Sequence, residues 1–543
     1  MGGFVLSDFA GMVPQVSPRL LAPNQAQLAL NTKLWSGEIR AFRDLSAVVT
    51  PSKVGTKKTI YRFGQDVVNE AQYWFHWLND VDVVRGPVNN DASERTYWTG
   101  EAEPRVTDSS IALLGGGTDY PNNWYKLGIP KPAPAPSLAT DGAGSGDEQS
   151  VAAVYTFVSA WGEEGPPSDP STIETVKFGD TLTIGSMATS PGTGYNVASK
   201  RIYLAISGSS ATDYQLFAEV PLATASTGQS YAAESLGEVI ATKLWVPPPA
   251  GLIGLIGMDN GMMAGLLNND VWFCEPFAPY AWPVRYRKST KYGIVGLGSF
   301  DQTIVVCTKG VPSVGMGAHP ANIVLQEAAL RGACVSKRGI VSMPGGVAYP
   351  TADGLAWIGA DGQRYATDGL FSRDEWAALV PSSFSAYRLG QRYVGFYDDG
   401  IAPRGFILSP GDPRSGLVYI DTYATAGYLD PLREQLYLQV GADIKRWDGA
   451  GAKAYTWKSK VFSMPRPMNP RFGQVKASSY PVTFKLYADG ALKLTKTVQS
   501  AEAFALPGGY KARDFELQFE GTANILGAAV METMADLKQV SEA

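Results

Sequence analysis

Along most of the chain apolar residues recur at every second position, in short runs closed by Gly, Asp or Asn. "KTIYRFG" (58–64), "AQYWFHWL" (71–78), "RTYWTG" (95–100), "GLAWIGADG" (354–362), "RYVGFYDDG" (392–400), "LVYIDTY" (417–423) and "QLYLQVG" (435–441) all follow this rule. Successive side chains of a strand point to opposite faces, so these runs predict short strands with frequent turns and an all-β protein. A helical period shows in two places. In the first, Asn24 after Pro23 can cap, Ala26, Leu28, Leu30 and Leu34 supply apolar contacts, and Gly37 can stop the helix. The second is "SRDEWAALV" (372–380).

The strands are periodic. Aromatic strands ending in a small or turn residue recur as "RTYWTG", "DVWFCEP" (270–276), "GLAWIG" and "QLYLQVG", with Asp/Gly turns beside them. Their spacing is near forty residues or a multiple of it, as expected for the four-stranded blades of an irregular β-propeller. "IPKPAPAPSLATDGAGSGDEQS" (129–150), Pro-rich and then Gly/Ser-rich, and "VPPPAG" (246–251) bracket a separate piece. Within it, "YTFVSAWGEEGPPSDPS" (155–171) and "RIYLAIS" (201–207) resemble the strand, charged turn and Pro/Ser exit of a fibronectin type III domain. That resemblance implies a spacer or adhesion surface and no activity of its own. After residue 460, alternating strands around an "ADG" hairpin turn (488–490) predict a small closing β-sandwich. The expected division is an N-terminal arm with one helix (1–45), a first part of the propeller (46–130), the fibronectin III-like insertion (131–250), the remainder of the propeller (251–460) and a C-terminal β-sandwich (461–543).

A chain of 543 residues exceeds one core, in keeping with several domains. Its aromatic content of 11% against two histidines favours aromatic packing over acid/base or metal chemistry. A net charge of −5 supplies no basic field for nucleic acid or anionic lipid. Cys274, Cys307 and Cys334 form no CxxC pair and read as buried thiols in a reducing compartment. The N-terminus shows no secretory signal. The most apolar run (251–267) is broken by Asp259 and Asn260, so no membrane-spanning segment is expected, and synthesis in a cytoplasm is.

Candidate chemistry concentrates in "NNDVWFCEPFAPYAWP" (268–283), where Cys274 and Glu275 sit among aromatics. No histidine or second carboxylate lies near them in sequence, and the alternation fits a blade strand, so this stretch is read as architecture. His76 reads as a strand-face or core histidine and His319 as a turn residue. Asp398 and Asp399 read as a hairpin turn rather than paired glycosidase carboxylates. "TADGLAWIG" (351–359) departs from a sialidase Asp-box because Asp353 and Gly354 are adjacent. The Gly-rich "GGGTDYP" (115–121) and "GLGSFD" (296–301) lack the setting of a phosphate cradle. "RYRKSTKY" (285–292) interleaves cations with aromatics but is read as a solvated strand face. No catalytic, cofactor-binding or metal residues are assigned, and no cofactor or enzyme activity is expected.

The segment "DFAGMVPQVSPRLLAPNQAQLALNTKLWSGEIRAFRD" (8–44) resembles the opening of the tail nozzle proteins of short-tailed bacteriophages, also called tail tubular protein B or DNA-stabilisation hubs. The matching residues are Gly11, Pro14, Leu20, Leu21, Ala22, Pro23, Ala26, Ala29, Asn31, Gly37 and Arg40. The body, an irregular propeller with a terminal β-domain, is similar too. The resemblance implies a virion structural protein of the phage tail. Such a protein is assembled in the host bacterial cytoplasm as a homo-oligomeric ring, typically a hexamer. It would contact tail adaptor or portal-proximal proteins and tail fibres or spikes, retain the packaged genome, and pass DNA through its lumen during ejection without sequence-specific binding. The insertion departs from that pattern and is left as a spacer, a fibre-docking surface or a host-contacting element. The alternative function is a glycan-binding or glycoside-hydrolysing β-propeller in which Trp272, Tyr280 and Trp282 stack on sugars.

Overall fold

Alternation becomes pairing almost everywhere it was read. The computed structural model describes residues 2–64, 68–88, 91–115, 117–207, 213–412 and 416–542. The fold class is all-β, with propeller-type four-stranded meanders, an inserted fibronectin III-like sandwich and a C-terminal sandwich. Gly116 of the Gly-rich "GGGTDYP" lies outside the described residues. Two compact units divide the chain, one formed by Met1–Trp74, Val305–Pro312 and Glu327–Ala543, the other by Phe75–Ile304 and Ser313–Gln326.

In the second of these units, Asp82–Arg85, Thr96–Thr99, Arg105–Thr107 and Tyr125–Lys126 form one antiparallel meander. Ile253–Gly257, Met263–Leu267, Asp270–Phe273 and Lys288–Ser289 form another. Between them in sequence lies the sandwich. One sheet joins Ser137–Thr140, Thr181–Gly185 and Thr227–Ser230, and the other joins Glu174–Phe178, Ser145–Ser159, Val197–Ser207 and Gln215–Pro221. Alternate residues of the long strand, Val151, Ala153, Tyr155 and Phe157, face Leu182, Ile184 and Leu138 of the opposing sheet in one core. The other face of that strand is buried as well, since Val154 packs with Tyr203 and Ile240.

In the other unit, Val341–Met343, Gly346–Pro350, Leu355–Gly359 and Gly362–Tyr365 form a meander, and Ser385–Leu389, Arg392–Tyr397, Arg404–Leu408 and Val418–Ile420 form the next. A third, Ala426–Asp430, Gln435–Val440 and Asp443–Arg446, is completed by Ser46–Val49 from the start of the chain. The C-terminal sandwich packs Phe484, Leu486, Phe515, Leu517 and Phe519 of one sheet against Val475, Ile525 and Val530 of the other. Its "ADG" hairpin is a two-residue loop between Ala488 and Ala491 with both loop residues, Asp489 and Gly490, at positive φ (47° and 75°). That backbone matches the twist of the strands it joins.

The N-terminal segment corrects two expectations. Residues 2–45 form strands paired with the body of the fold rather than an arm, and they hold no helix. Gly3–Leu6 pairs antiparallel with Ile525–Met531, and Phe4, Leu6 and Phe9 lie in the sandwich core, Phe4 stacked on Phe462 at 4.5 Å. The expected helix is the strand Ala26–Leu30, which pairs antiparallel with Tyr455–Ser459 and, through Leu30 and Tyr419, parallel with Val418–Ile420. It thereby joins the meander of Ser385–Leu389 to Val418–Ile420 and the C-terminal sheet into ten strands. The misreading has a physical cause. The register shifts between Ala26 and Leu28, so the buried positions Ala26 and Ala29 fall three apart, a helical spacing carried by a bulged strand. Gly37, read as a helix stop, is a turn at φ 78° whose carbonyl accepts the Phe9 N–H at 2.8 Å.

The other helical signal is a helix. Arg373–Ala378 is capped by Ser372, whose hydroxyl accepts the Glu375 N–H while Glu375 accepts the Ser372 N–H, and Trp376 is buried.

Candidate functional site

The stretch 268–283 is built as core. Asp270–Phe273 pairs with Met263–Leu267 on one side and Lys288–Ser289 on the other. Cys274 is fully buried and its Sγ accepts the Met263 N–H at 3.0 Å. Burial pushes this thiol up to about 12, the Glu275 carboxylate adding to the rise against the Met263 N–H. A thiol held there is no nucleophile at neutral pH. Trp282 is buried with its Nε1 donating to Pro279 O at 2.7 Å, Trp272 is nearly buried, and Tyr280 packs on the sandwich core. The aromatics proposed to stack on sugars are therefore packing residues.

Glu275 does have partners, Tyr286 just beyond this stretch and His319 farther along the chain. The Tyr286 hydroxyl donates to Glu275 Oε2 at 2.8 Å and is itself approached by Arg285 Nη2 at 3.1 Å. His319 Nε2 stands 3.7 Å from Glu275 Oε1, and the His319 ring meets Tyr286 edge-on at 5.4 Å. His319 Nδ1 accepts the Ala321 N–H at 3.2 Å, so the neutral ring carries its proton on Nε2, toward Glu275. The pair is a carboxylate–imidazole contact too long for a direct hydrogen bond. The hydroxyl at its centre, Tyr286, is pushed up chiefly by burial. The cluster ties the turns Val284–Tyr286 and Pro320–Asn322 together and offers an acid/base pair without an activated nucleophile.

The remaining sequence candidates have local duties. His76 is buried in the strand Trp74–Trp77, and its backbone N–H donates to Tyr120 O at 3.2 Å. Asp398 accepts the Gly400 N–H, and Asp399 accepts those of Ile401 and Ala402, which hold its carboxyl below the usual range. Asp353 lies 3.2 Å from the exposed Arg373. In "RYRKSTKY", Arg287 lies over the Trp272 ring and 3.8 Å from Asp270, and Lys291 lies over Tyr292. Among the described residues no group of three or more His, Cys, Asp or Glu is placed to hold a metal ion, and no helix is long and apolar enough to cross a membrane.

Two sites were not legible in the sequence. The charged turn "WGEEGP" (161–166) locks the sandwich to the meander that precedes it. Arg95 Nη1 donates to Glu163 Oε1 at 2.8 Å and its Nε donates to Asp91 at 2.8 Å. Trp161 Nε1 donates to Asp108 at 3.0 Å, and Glu164 accepts from Thr156, Arg201 and Tyr203. Burial pushes Glu163 up to about 7 although the Arg95 guanidinium opposes it. Burial also raises Asp91, but the Ser93 hydroxyl and Arg95 outweigh it and hold that carboxyl at about 2.

The second is an open cavity of about 620 Å³ lined by residues of the other unit, among them Trp35, Trp357, Asp361, Gln391, Arg392 and Asp412. The Arg392 guanidinium lies 3.6 Å from the centre of the Trp35 ring, its Nε is buried without a hydrogen-bond partner, and burial pushes its pKa down. Asp361 is engaged by Trp357 Nε1 at 2.7 Å and Arg364 at 2.8 Å.

No family model matches the chain, and no curated protein matches it. Solved structures that align with it include PorZ of the type-IX secretion system of Porphyromonas gingivalis, at 11% identity over 86% of this chain and 48% of that one, with a TM-score of 0.30. Apo AztD from Citrobacter koseri aligns at 12% identity over 67% of this chain and 100% of that one, with a TM-score of 0.24. The extracellular domain of a hybrid two-component system from B. thetaiotaomicron aligns at 9% identity over 87% of this chain and 50% of that one, with a TM-score of 0.26. The chain spans about half the length of the first and third. Overlaps this loose assign no function.

Proposed function

We propose that this chain is a non-enzymatic structural component of a short-tailed bacteriophage tail. It would be a nozzle or hub protein that assembles as a homo-oligomeric ring, six-fold by the resemblance, retains packaged DNA and passes it during ejection. One observation supports the reading: Gly11, Leu21, Ala26, Ala29 and Asn31 of the nozzle resemblance hold buried positions on which this architecture depends, whereas Leu20, Ala22, Pro23 and Arg40 are exposed. Gly11 lies so close to Gly416 and Leu417 that a Cβ would sit 2.8 Å from their backbone. Leu21, Ala26 and Ala29 are buried, and Asn31, in the left-handed region at φ 56°, donates from its side chain to Asp421 and to Ala454 O. These buried residues serve the architecture rather than a ligand. Expected partners are adaptor or portal-proximal proteins and tail fibres or spikes. The clamped turn at Glu163 supports the insertion as a fixed surface for such a partner rather than a loose tether. A net charge of −5 suits a channel that repels phosphates instead of gripping them.

The test is negative-stain microscopy with light scattering on the purified full chain. Closed rings of about six copies support the proposal. A chain that stays monomeric at high concentration, and is absent from virions of a phage encoding it, overturns it.

A further inference from the structure

We infer that the cavity beside Trp35 is a binding site for an acidic saccharide, a sugar bearing one carboxylate. Nothing in the nozzle reading requires such a site, so the two stand or fall separately. The inference starts from Arg392. A guanidinium drawn partly out of water ordinarily finds a carboxylate. Arg392 has no ion pair among the described residues: its close neighbour is the face of Trp35, and its Nε is buried with no hydrogen-bond partner. The stacking holds the planar fork in one orientation at the cavity, which leaves donors ready for a planar carboxylate.

The rest of the lining selects what carries that carboxylate. Trp35 is 44% exposed, in spite of Arg392 on its ring and the edge contact of Phe42 at 5.8 Å, and gives the cavity an apolar surface for the C–H side of a sugar ring. Gln391, Ser409 and Asp412 add side-chain acceptors and donors suited to hydroxyl groups. The two aspartates in the lining disfavour a phosphate, which brings nearly two negative charges, but accept hydrogen bonds from the hydroxyls of a singly charged sugar. A volume of about 620 Å³ suits one or two sugar rings.

The experiment titrates the full-length protein with glucuronate and N-acetylneuraminate, and with glucose, inorganic phosphate and a glutamate-containing tripeptide as comparisons. Calorimetry and tryptophan fluorescence are the readouts. Saturable binding of at least one acidic sugar, about tenfold tighter than glucose and weakened about tenfold by Arg392→Gln, supports the proposal. Arg392→Lys should recover part of the loss. Gln391→Ala, at an exposed position that cannot unfold the chain, should weaken binding with the melting temperature unchanged. The proposal is overturned if neither acidic sugar saturates, if glucose binds equally well, if Arg392→Gln and Gln391→Ala both bind as the unaltered chain does, or if phosphate or the tripeptide binds in preference.

Discussion

Arg95 and Glu163 meet at 2.8 Å across 68 residues of sequence, both largely shielded from water. Arg95 comes from the loop before the strand Thr96–Thr99, Glu163 from a turn of the inserted sandwich. Replacing Arg95 by Met takes the shared cation from both Glu163 and Asp91 and should destabilise the chain, more at pH 8, where Glu163 is ionised, than at pH 5, where it carries a proton. Adding Glu163→Gln to that variant should restore the part of the loss that comes from Glu163 at pH 8, with Asp91 still lacking its cation. Urea denaturation of the single and double variants at pH 5 and pH 8 measures both effects. Additive effects of the two substitutions would show that the pair is not coupled.

The same carboxyl makes stability depend on pH. Its pKa rises from the ordinary 4.5 to about 7 on folding, so between those values the folded chain holds a proton the unfolded chain has lost. The associated stability is complete below about pH 4.5 and is lost as pH rises through 7. Glu163→Gln removes this titration. Melting curves at pH 5 and pH 8 should therefore show the variant gaining on the unaltered chain at the higher pH.

Gly11 and Gly416 touch backbone to backbone, Gly416 at φ 77°. Gly11→Ala forces these segments apart and should destabilise by about 1–3 kcal/mol, with early proteolysis near the N-terminus. Asn31→Ala removes two donated bonds and the acceptor for the Asp421 N–H, for a loss of about 2 kcal/mol. Thermal melts with limited proteolysis check both.

All three cysteines are buried, and Cys307 is pushed well up by burial, with Cys334 beside it adding to the rise. The native protein should show no thiol reactive toward a disulfide reagent at neutral pH, and all three should react in denaturant. Cys274→Ser should leave ring formation intact. Trp272→Ala should cost about 3–5 kcal/mol, because that ring belongs to a core with Trp282 and Leu255.

What could be read from the sequence was local. The short strands, the "ADG" turn and the helix at 373–378 depend on neighbours within a few residues, so periodicity and caps suffice. At Ala26 the same reasoning failed because a bulge reproduces helical spacing, and only the partner strand at Tyr455–Ser459 distinguishes the two. Glu275 and His319, Arg95 and Glu163, and Trp35 and Arg392 are long-range pairs, and no spacing rule joins them. One cue was available: Trp35 follows the apolar Leu34 in otherwise polar "TKLWSGE" (32–38), where alternation turns one of the two outward.

The early strands also set a timetable for synthesis. Ala26–Leu30 and Ser46–Val49 are translated long before their partners, Tyr455–Ser459 and Asp443–Arg446. The inserted sandwich has all its strands between Ser137 and Ser230 and can fold as soon as it emerges. Apart from the local pair of Thr32–Lys33 with Arg40–Ala41, those early strands wait as open edges until their partner segments are made, and long-range pairing of that kind is slow and exposed to aggregation.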